Sequence, residues 1–154
     1  MDVKRIGITE SHLIVPLFDR YRVFYQQPSD LGLARRFIEA RLENNESTIF
    51  AAMEGETAVG FVQLYPLFSS LRAARDWIIN DLFVEPACRR RRVGHALVQQ
   101  ALRFASEQGG NFVELETGPE NIVAQGLYER MGFARRTAGT EYFIYRIDLA
   151  GLRF

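Results

Sequence analysis

The chain has 154 residues, 47% of them hydrophobic and 25% charged, with 19 basic side chains balancing 19 acidic ones. Zero formal charge excludes a general nucleic-acid coat protein, which would be basic overall, and this length supports a core without disulfides or metal. One cysteine, Cys88, allows no intramolecular disulfide, and neither a long apolar run nor a signal-peptide core at Met-Asp-Val-Lys-Arg is present, so one cytoplasmic domain over residues 1–154, with no membrane partner, is expected.

Alternation over residues 3–8 predicts a short first strand, with Thr9 as the N-cap of the helix that follows. Ile14, Leu17, Phe18, Tyr21, Phe24 and Tyr25 fall on one face of that helix. Pro28-Ser29-Asp30 breaks it, and Asp30 caps a second helix whose buried stripe is Ala34, Phe37, Ile38 and Leu42. Strands at 48–53 and 58–67 are joined by Glu54-Gly55-Glu56, a hairpin turn. A polar loop at 69–76 leads to a strand at 77–84, completing an antiparallel meander.

The period then changes. Val93, Ala96, Leu97, Ala101, Phe104 and Ala105 mark an amphipathic helix closed by Gly109-Gly110. A strand at 112–116, a helix at 121–131 ending at Gly132, and strands at 133–136 and 141–149 finish the chain. Strand, helix, strand implies a right-handed crossover and a parallel pair. Hairpins first and a crossover later give an α+β domain, α/β by some schemes, with helices packed on a mixed sheet.

Chemistry concentrates where the strand at 77–84 hands over to the helix at Val93 through Arg89-Arg90-Arg91-Arg92. A helix start offers unpaired N–H groups and the positive end of its dipole, a place for phosphate. Gly94 and Ala96 let an anion approach the backbone. On composition alone the run also fits a solvated basic patch; its position favours a small, multiply phosphorylated ligand. Neither Gly-x4-Gly-Lys-Ser/Thr nor Gly-x-Gly-x-x-Gly occurs, which argues against a nucleotide triphosphatase and a dinucleotide oxidoreductase. Cys88 reads as a small turn residue, and Trp77, His12 and His95 as packing or helix-end residues. No metal-ligand cluster is visible, so no metal is expected.

Asp81-Leu-Phe-Val-Glu-Pro86, then Arg89-x-x-Arg92-x-Gly94 and Leu97, resembles the acyl-CoA signature of the GNAT superfamily of N-acetyltransferases. Asn121-Ile-Val-Ala124-Gln-Gly-Leu-Tyr128, ending in Gly132-Phe133, resembles its second signature. Within the superfamily the Asn-Asp-Leu-Phe-Val strand looks most like the small diamine and histone/polyamine acetyltransferases. The resemblance implies that acetyl-CoA is the co-substrate and that the acetyl group moves directly to a primary amine, on a small molecule or on a protein or peptide. Neither nucleic acid nor membrane is an expected partner, and a homodimer is expected.

For the coenzyme, the resemblance implies backbone contacts from Leu82, Phe83 and Val84 to pantetheine, in a gap between this strand and the one at 112–116. Phosphates would rest on Arg89, Arg90, Arg91 and Arg92 and on the first helical residues Val93, Gly94 and His95. Arg92 replaces the family's central loop glycine, and a negative φ is expected there. Asn121, Ala124 and Tyr128 share a helical face; Asn121 would bind the pantetheine arm, Ala124 keep the passage open, and Tyr128 protonate the departing thiolate. A backbone N–H near Leu82 would serve as oxyanion donor.

A general base is expected near the same strand. Asp81 is the candidate base, a structural role or binding of the substrate cation being its other readings, with Glu114, Glu116 and a water chain as alternatives for the base. Asn80 stands where related diamine enzymes carry a glutamate. Tyr25, Tyr65, Asn80 and the loop at 69–75 would form the acceptor rim. Two other readings stay open at this point. One is a non-catalytic acyl-CoA-binding module, consistent with the missing glutamate. The other is a nucleic-acid-binding domain using the arginines, disfavoured by neutral charge and the lack of interleaved aromatics.

Overall fold

The computed structural model describes residues 1–136 and 143–154. Its strands are β1 (Asp2–Arg5), β2 (Thr48–Glu54), β3 (Thr57–Ser69), β4 (Ala74–Val84), β5 (Phe112–Thr117), β6 (Ala134–Arg135) and β7 (Phe143–Asp148); its helices are α1 (Ser11–Phe24), α2 (Leu31–Glu43), α3 (Val93–Glu107) and α4 (Ile122–Arg130). The strands form one sheet in the order β1-β2-β3-β4-β5-β7-β6. Every neighbouring pair is antiparallel except β4 and β5, the pair joined through α3. The mixed, mostly antiparallel α+β architecture is therefore as expected.

Each face of the sheet carries its own core. Val93, Leu97, Val98, Ala101 and Ala105 of α3 bury against Val62, Leu64, Trp77, Ile79, Val113 and Leu115. On the other face Ile14, Leu17 and Phe18 of α1, with Ala34 and Ile38 of α2, cover Ile49, Ala51, Phe61 and Phe83. Removing these side chains from water is the main favourable term in folding. Gly60 is needed where the two layers meet: a Cβ there would lie 2.9 Å from the Phe83 carbonyl oxygen and 3.2 Å from Leu97.

Local signals read from the sequence recur with shifted edges. Asp30 caps α2, its Oδ1 accepting the Leu33 N–H at 3.0 Å, and Gly55 turns the β2–β3 hairpin with φ +61. Thr9 is not an N-cap. The chain leaves β1 at Arg5 and tightens into a 3-10 turn, Ile8–Glu10, closed by Glu10 N–H to Gly7 O at 3.0 Å, before α1 begins at Ser11. The loop after β3 is shorter than expected, because pairing continues to Ser69↔Ala74. Asn121 lies just outside α4 as its cap.

Phe24, Tyr25 and Phe37 also depart from the predicted buried stripes: all three are exposed. Phe37 lines a pocket and stacks on the core residue Phe18 at 5.5 Å between ring centres, and Phe24 lies beside the Arg89 guanidinium. Glu141 and Tyr142, the expected start of the last strand, lie outside the described residues.

Candidate active site

The site begins with a defect in β4. Gln63 pairs with Asp81 but Leu64 pairs with Ile79, so Asn80 is an extra residue, a β-bulge. A bulge resets the two-residue alternation: Trp77 and Ile79 face the α3 side, whereas Asp81 and Phe83 face α1 and α2. Without it Asp81 would point into the α3 core. The pairing with β5 is confined to Trp77↔Val113 and Ile78↔Glu114. Beyond Ile78 the two strands separate, and the β4 edge from Ile79 to Val84 has no ladder partner on that side among the described residues.

Asp76 ties down the closed end of this fork. Its Oδ1 accepts the Asn111 N–H at 2.8 Å and the Phe112 N–H at 3.4 Å, and Arg72 pairs with its other oxygen. Burial alone would raise the Asp76 carboxyl, but those hydrogen bonds hold it below the ordinary value.

The arginine turn follows the open end. Arg92 has φ +61 and Arg90 φ +67, so the expected negative φ at Arg92 is wrong. The chain accepts the left-handed conformation without glycine, at roughly 1–2 kcal/mol per residue. Arg90 and Arg92, both at positive φ, flank Arg91, which is not among the positive-φ residues; such alternation is the backbone pattern of anion-binding nests. Arg92 caps α3 without a side-chain bond, and the helical ladder starts with Ala96 N–H to Arg92 O at 3.0 Å. The N–H groups of Val93, Gly94 and His95 are thus the unsatisfied donors of the helix start.

The four guanidinium groups divide. Arg89 Nε donates to Val84 O at 3.0 Å, and its guanidinium lies 5.8 Å from the Phe24 and Phe83 ring centres. Arg91 pairs with Glu54. Arg90 and Arg92 have no ion pair or hydrogen bond among the described residues and are the free charges of the turn. Gly94 admits α4: a Cβ there would lie 3.3 Å from Leu127 Cδ2.

On α4, Asn121 Oδ1 accepts the Ala124 N–H at 3.2 Å, which leaves its Nδ2 to donate elsewhere. Tyr128 is buried against Phe133 and Tyr145, with ring centres 5.7 and 6.0 Å away. Burial, with a smaller contribution from Tyr25, pushes its phenol well above the ordinary tyrosine value. It is a neutral donor at physiological pH.

On the α1/α2 side of the bulge lies a pocket of about 300 Å³, floored by Asp81, Asn80 and Tyr65 and walled by Phe18, Tyr21, Arg22, Leu33 and Phe37. Asp81 is 4% exposed. It accepts hydrogen bonds from Gln63 Nε2 and from Asn80 Nδ2 at 3.1 Å, and the Tyr21 hydroxyl beside it donates to Asn80 O at 3.5 Å. Gln63 is in turn fixed by Ser47, whose hydroxyl donates to its Oε1 at 2.8 Å. Burial lifts the Asp81 carboxyl above the ordinary aspartate value, against the pull of those donors. Burial, then the charge of Asp81, raises the Tyr21 phenol and pushes Tyr65 up to about 12. A buried carboxylate among aromatic walls can hold an ammonium group and take its proton.

Tyr65, Asn80 and Asp81 are thus brought together as the sequence suggests, but the other proposed rim groups are not. Tyr25 does not line the pocket itself but packs on its wall residue Tyr21, 5.0 Å between ring centres, and is near enough to Tyr128 to raise it. Ser69, Ser70 and Arg75 border a separate hollow of about 460 Å³ that shares no residue with this pocket. Glu114 is paired with Arg146 at 3.1 Å, and Glu116 is exposed. Gln63, Tyr21 and Arg22 escaped the sequence reading. Gln63 had a visible signal, an amide interrupting the apolar run Phe61-Val-Gln-Leu; Arg22 had none. Among the described residues no group of three or more His, Cys, Asp or Glu could hold a metal, and no helix is long and apolar enough to cross a membrane.

The sequence profile of the acetyltransferase (GNAT) family matches residues 14–133. An uncharacterized N-acetyltransferase of Bacillus subtilis, YhfO, is 41% identical over 142 residues, 92% of this chain and 95% of the relative. The crystal structure of a probable acetyltransferase superposes with TM-score 0.85 at 38% identity, covering 92% of this chain and 95% of the other. The PaiA N-acetyltransferase of Thermoplasma acidophilum, solved in complex with coenzyme A, shares the fold at TM-score 0.71 and 15% identity, over 96% and 99% of the two chains.

Proposed function

The chain belongs to the acetyltransferase (GNAT) family, enzymes that use acetyl-CoA, and on that premise we propose that it moves the acetyl group directly to a primary amine held beside Asp81. The observation that carries this reading is the Asn80 bulge, which separates β4 from β5 on one side and turns Asp81 into a pocket on the other.

The residues fit the coenzyme. The nest at Arg90–Arg92, the free N–H groups of Val93, Gly94 and His95, and the unpaired Arg90 and Arg92 charges suit a pyrophosphate. The free β4 edge at Leu82, Phe83 and Val84 suits the amides of an extended arm, with Asn121 Nδ2 as a further donor and Ala124 beside the passage. The coenzyme supplies an activated acetyl thioester. Asp81 binds the ammonium group and takes its proton, freeing the nitrogen lone pair to attack the acetyl carbon. A backbone N–H near Leu82 polarises the carbonyl oxygen. As the C–S bond breaks, Tyr128 gives its proton to the sulfur. Positioning supplies much of the acceleration. The same reading takes the protein as a cytoplasmic homodimer, the assembly being testable by light scattering.

The test is amine-dependent thiol release from acetyl-CoA, measured beside calorimetric binding of coenzyme A. Wild type should show both, and Tyr128→Phe should keep the binding while losing turnover. Binding without release, on a broad amine panel, would instead favour a non-catalytic acyl-CoA module.

A further inference from the structure

We infer that the acceptor is a small zwitterion, a primary amine bearing one anionic group such as carboxylate or phosphate, and not a polyamine or other polycation. This rests on acetyl transfer at Asp81 as read above and adds the acceptor's class to it.

Two lining residues of the pocket carry formal charge, and they have opposite signs and come from opposite layers. Asp81 rises from the sheet beside the bulge; Arg22 descends from the last turn of α1. Arg22 Nη1 lends one contact to Pro28 O at 3.4 Å, leaving most of its five donors for a ligand. The nearby carboxylate of Asp19 is held by Ser29 at 2.6 Å and by the Asp30 N–H at 2.8 Å, so it makes no hydrogen bond to Arg22, although the Arg22 charge helps to lower it. A second guanidinium, Arg41, lies 4.5 Å from the Phe37 ring centre and pairs with Glu46 at 3.5 Å.

These charges orient a ligand. Asp81 is the one carboxylate of the lining and so receives the ammonium, and it sits where β4 parts from β5. The Arg22 guanidinium is the other charge of the lining, and a guanidinium matches a carboxylate or phosphate in two-point geometry. A second ammonium beside it would meet like charge and no carboxylate of the lining. The volume is also at the small end of ligand pockets, and the Phe18, Tyr21 and Phe37 walls suit an apolar or aromatic body between the two charges.

The test is kcat/KM for matched acceptors with acetyl-CoA: phenylalanine against phenethylamine, phosphoethanolamine against ethanolamine, and cadaverine as the dication. Wild type should favour the member with an anionic group by about tenfold or more, the scale of a charge-assisted hydrogen bond. The two pairs tell carboxylate from phosphate. Arg22→Gln should erase the preference, and Arg22→Glu should reverse it toward cadaverine. Preference for cadaverine in wild type, or a preference untouched by both Arg22 variants, would overturn the inference while leaving acetyl transfer intact. Should either variant fail to fold, the wild-type ranking decides by itself. No turnover with any amine would overturn the acetyltransferase reading and this one with it.

Discussion

The two sides of the Asn80 bulge are built from different materials. On the side of the arginine turn the groups proposed to hold the coenzyme are mostly backbone: a free strand edge, a turn with left-handed Arg90 and Arg92, and a helix start with no side-chain cap. On the α1/α2 side they are side chains converging from α1, α2, β3 and β4 on one buried carboxylate. A backbone site tolerates change in the residues that form it, so an arginine can stand where a glycine is usual. A side-chain site has no such reserve, and single substitutions there should act sharply.

The largest effect is expected on the side-chain face. Asp81→Asn should lower kcat by about 10³-fold, within the span of general acid–base catalysis, and leave coenzyme A affinity within twofold by calorimetry. Tyr128→Phe should cost about 10²-fold in kcat by the same logic; an unchanged kcat would remove its role as proton donor.

The pH dependence sharpens the contrast. The proposed transfer uses ionised Asp81, so kcat/KM should rise with pH through an inflection above the ~3.9 of a free aspartate. Stability runs the opposite way. A carboxyl whose native pKa is raised favours folding below its unfolded value, and that contribution is lost as pH rises through the native value. Asp81→Asn should therefore unfold at higher temperature than wild type above that window, as read by scanning calorimetry, while being nearly inactive. Asp76, whose carboxyl is lowered, has the reverse sign: its contribution is present above the unfolded value and lost in acid. Asp76→Ala should cost about 2 kcal/mol through its orphaned N–H partners, seen as a lower Tm.

On the backbone face the changes should be smaller. Arg92→Gly should relieve strain of about 1 kcal/mol, raising Tm by roughly 2–4 °C, while weakening coenzyme A only by the loss of one charge. A lower Tm would mean that φ at Arg92 is not strained.

The same contrast explains what could be read in advance. Asp30, Gly55 and the α3 stripe carry their meaning in a few neighbouring residues, and the motifs at Asp81–Gly94 and Asn121–Phe133 mark a backbone site through local spacing. The bulge at Asn80 has no glycine to announce it, and the left-handed Arg90 and Arg92 violate the usual preference. The pocket joins Phe18, Arg22 and Phe37 to Asp81 across 44 to 63 residues of chain, far beyond the window of roughly 11–18 residues in which periodicity is read. Phe24 and Phe37 fit the helical stripe yet are exposed, facing the Arg89 guanidinium and the pocket.

The account stands or falls on two sites that meet at one bulge and work in the same complex. Initial rates of thiol release, with acetyl-CoA and an accepted amine both varied, address this directly. Intersecting double-reciprocal lines, with Asp81→Asn abolishing the amine-dependent rate, are the predicted result. Parallel lines, or release indifferent to the amine, would contradict direct transfer between the two sites.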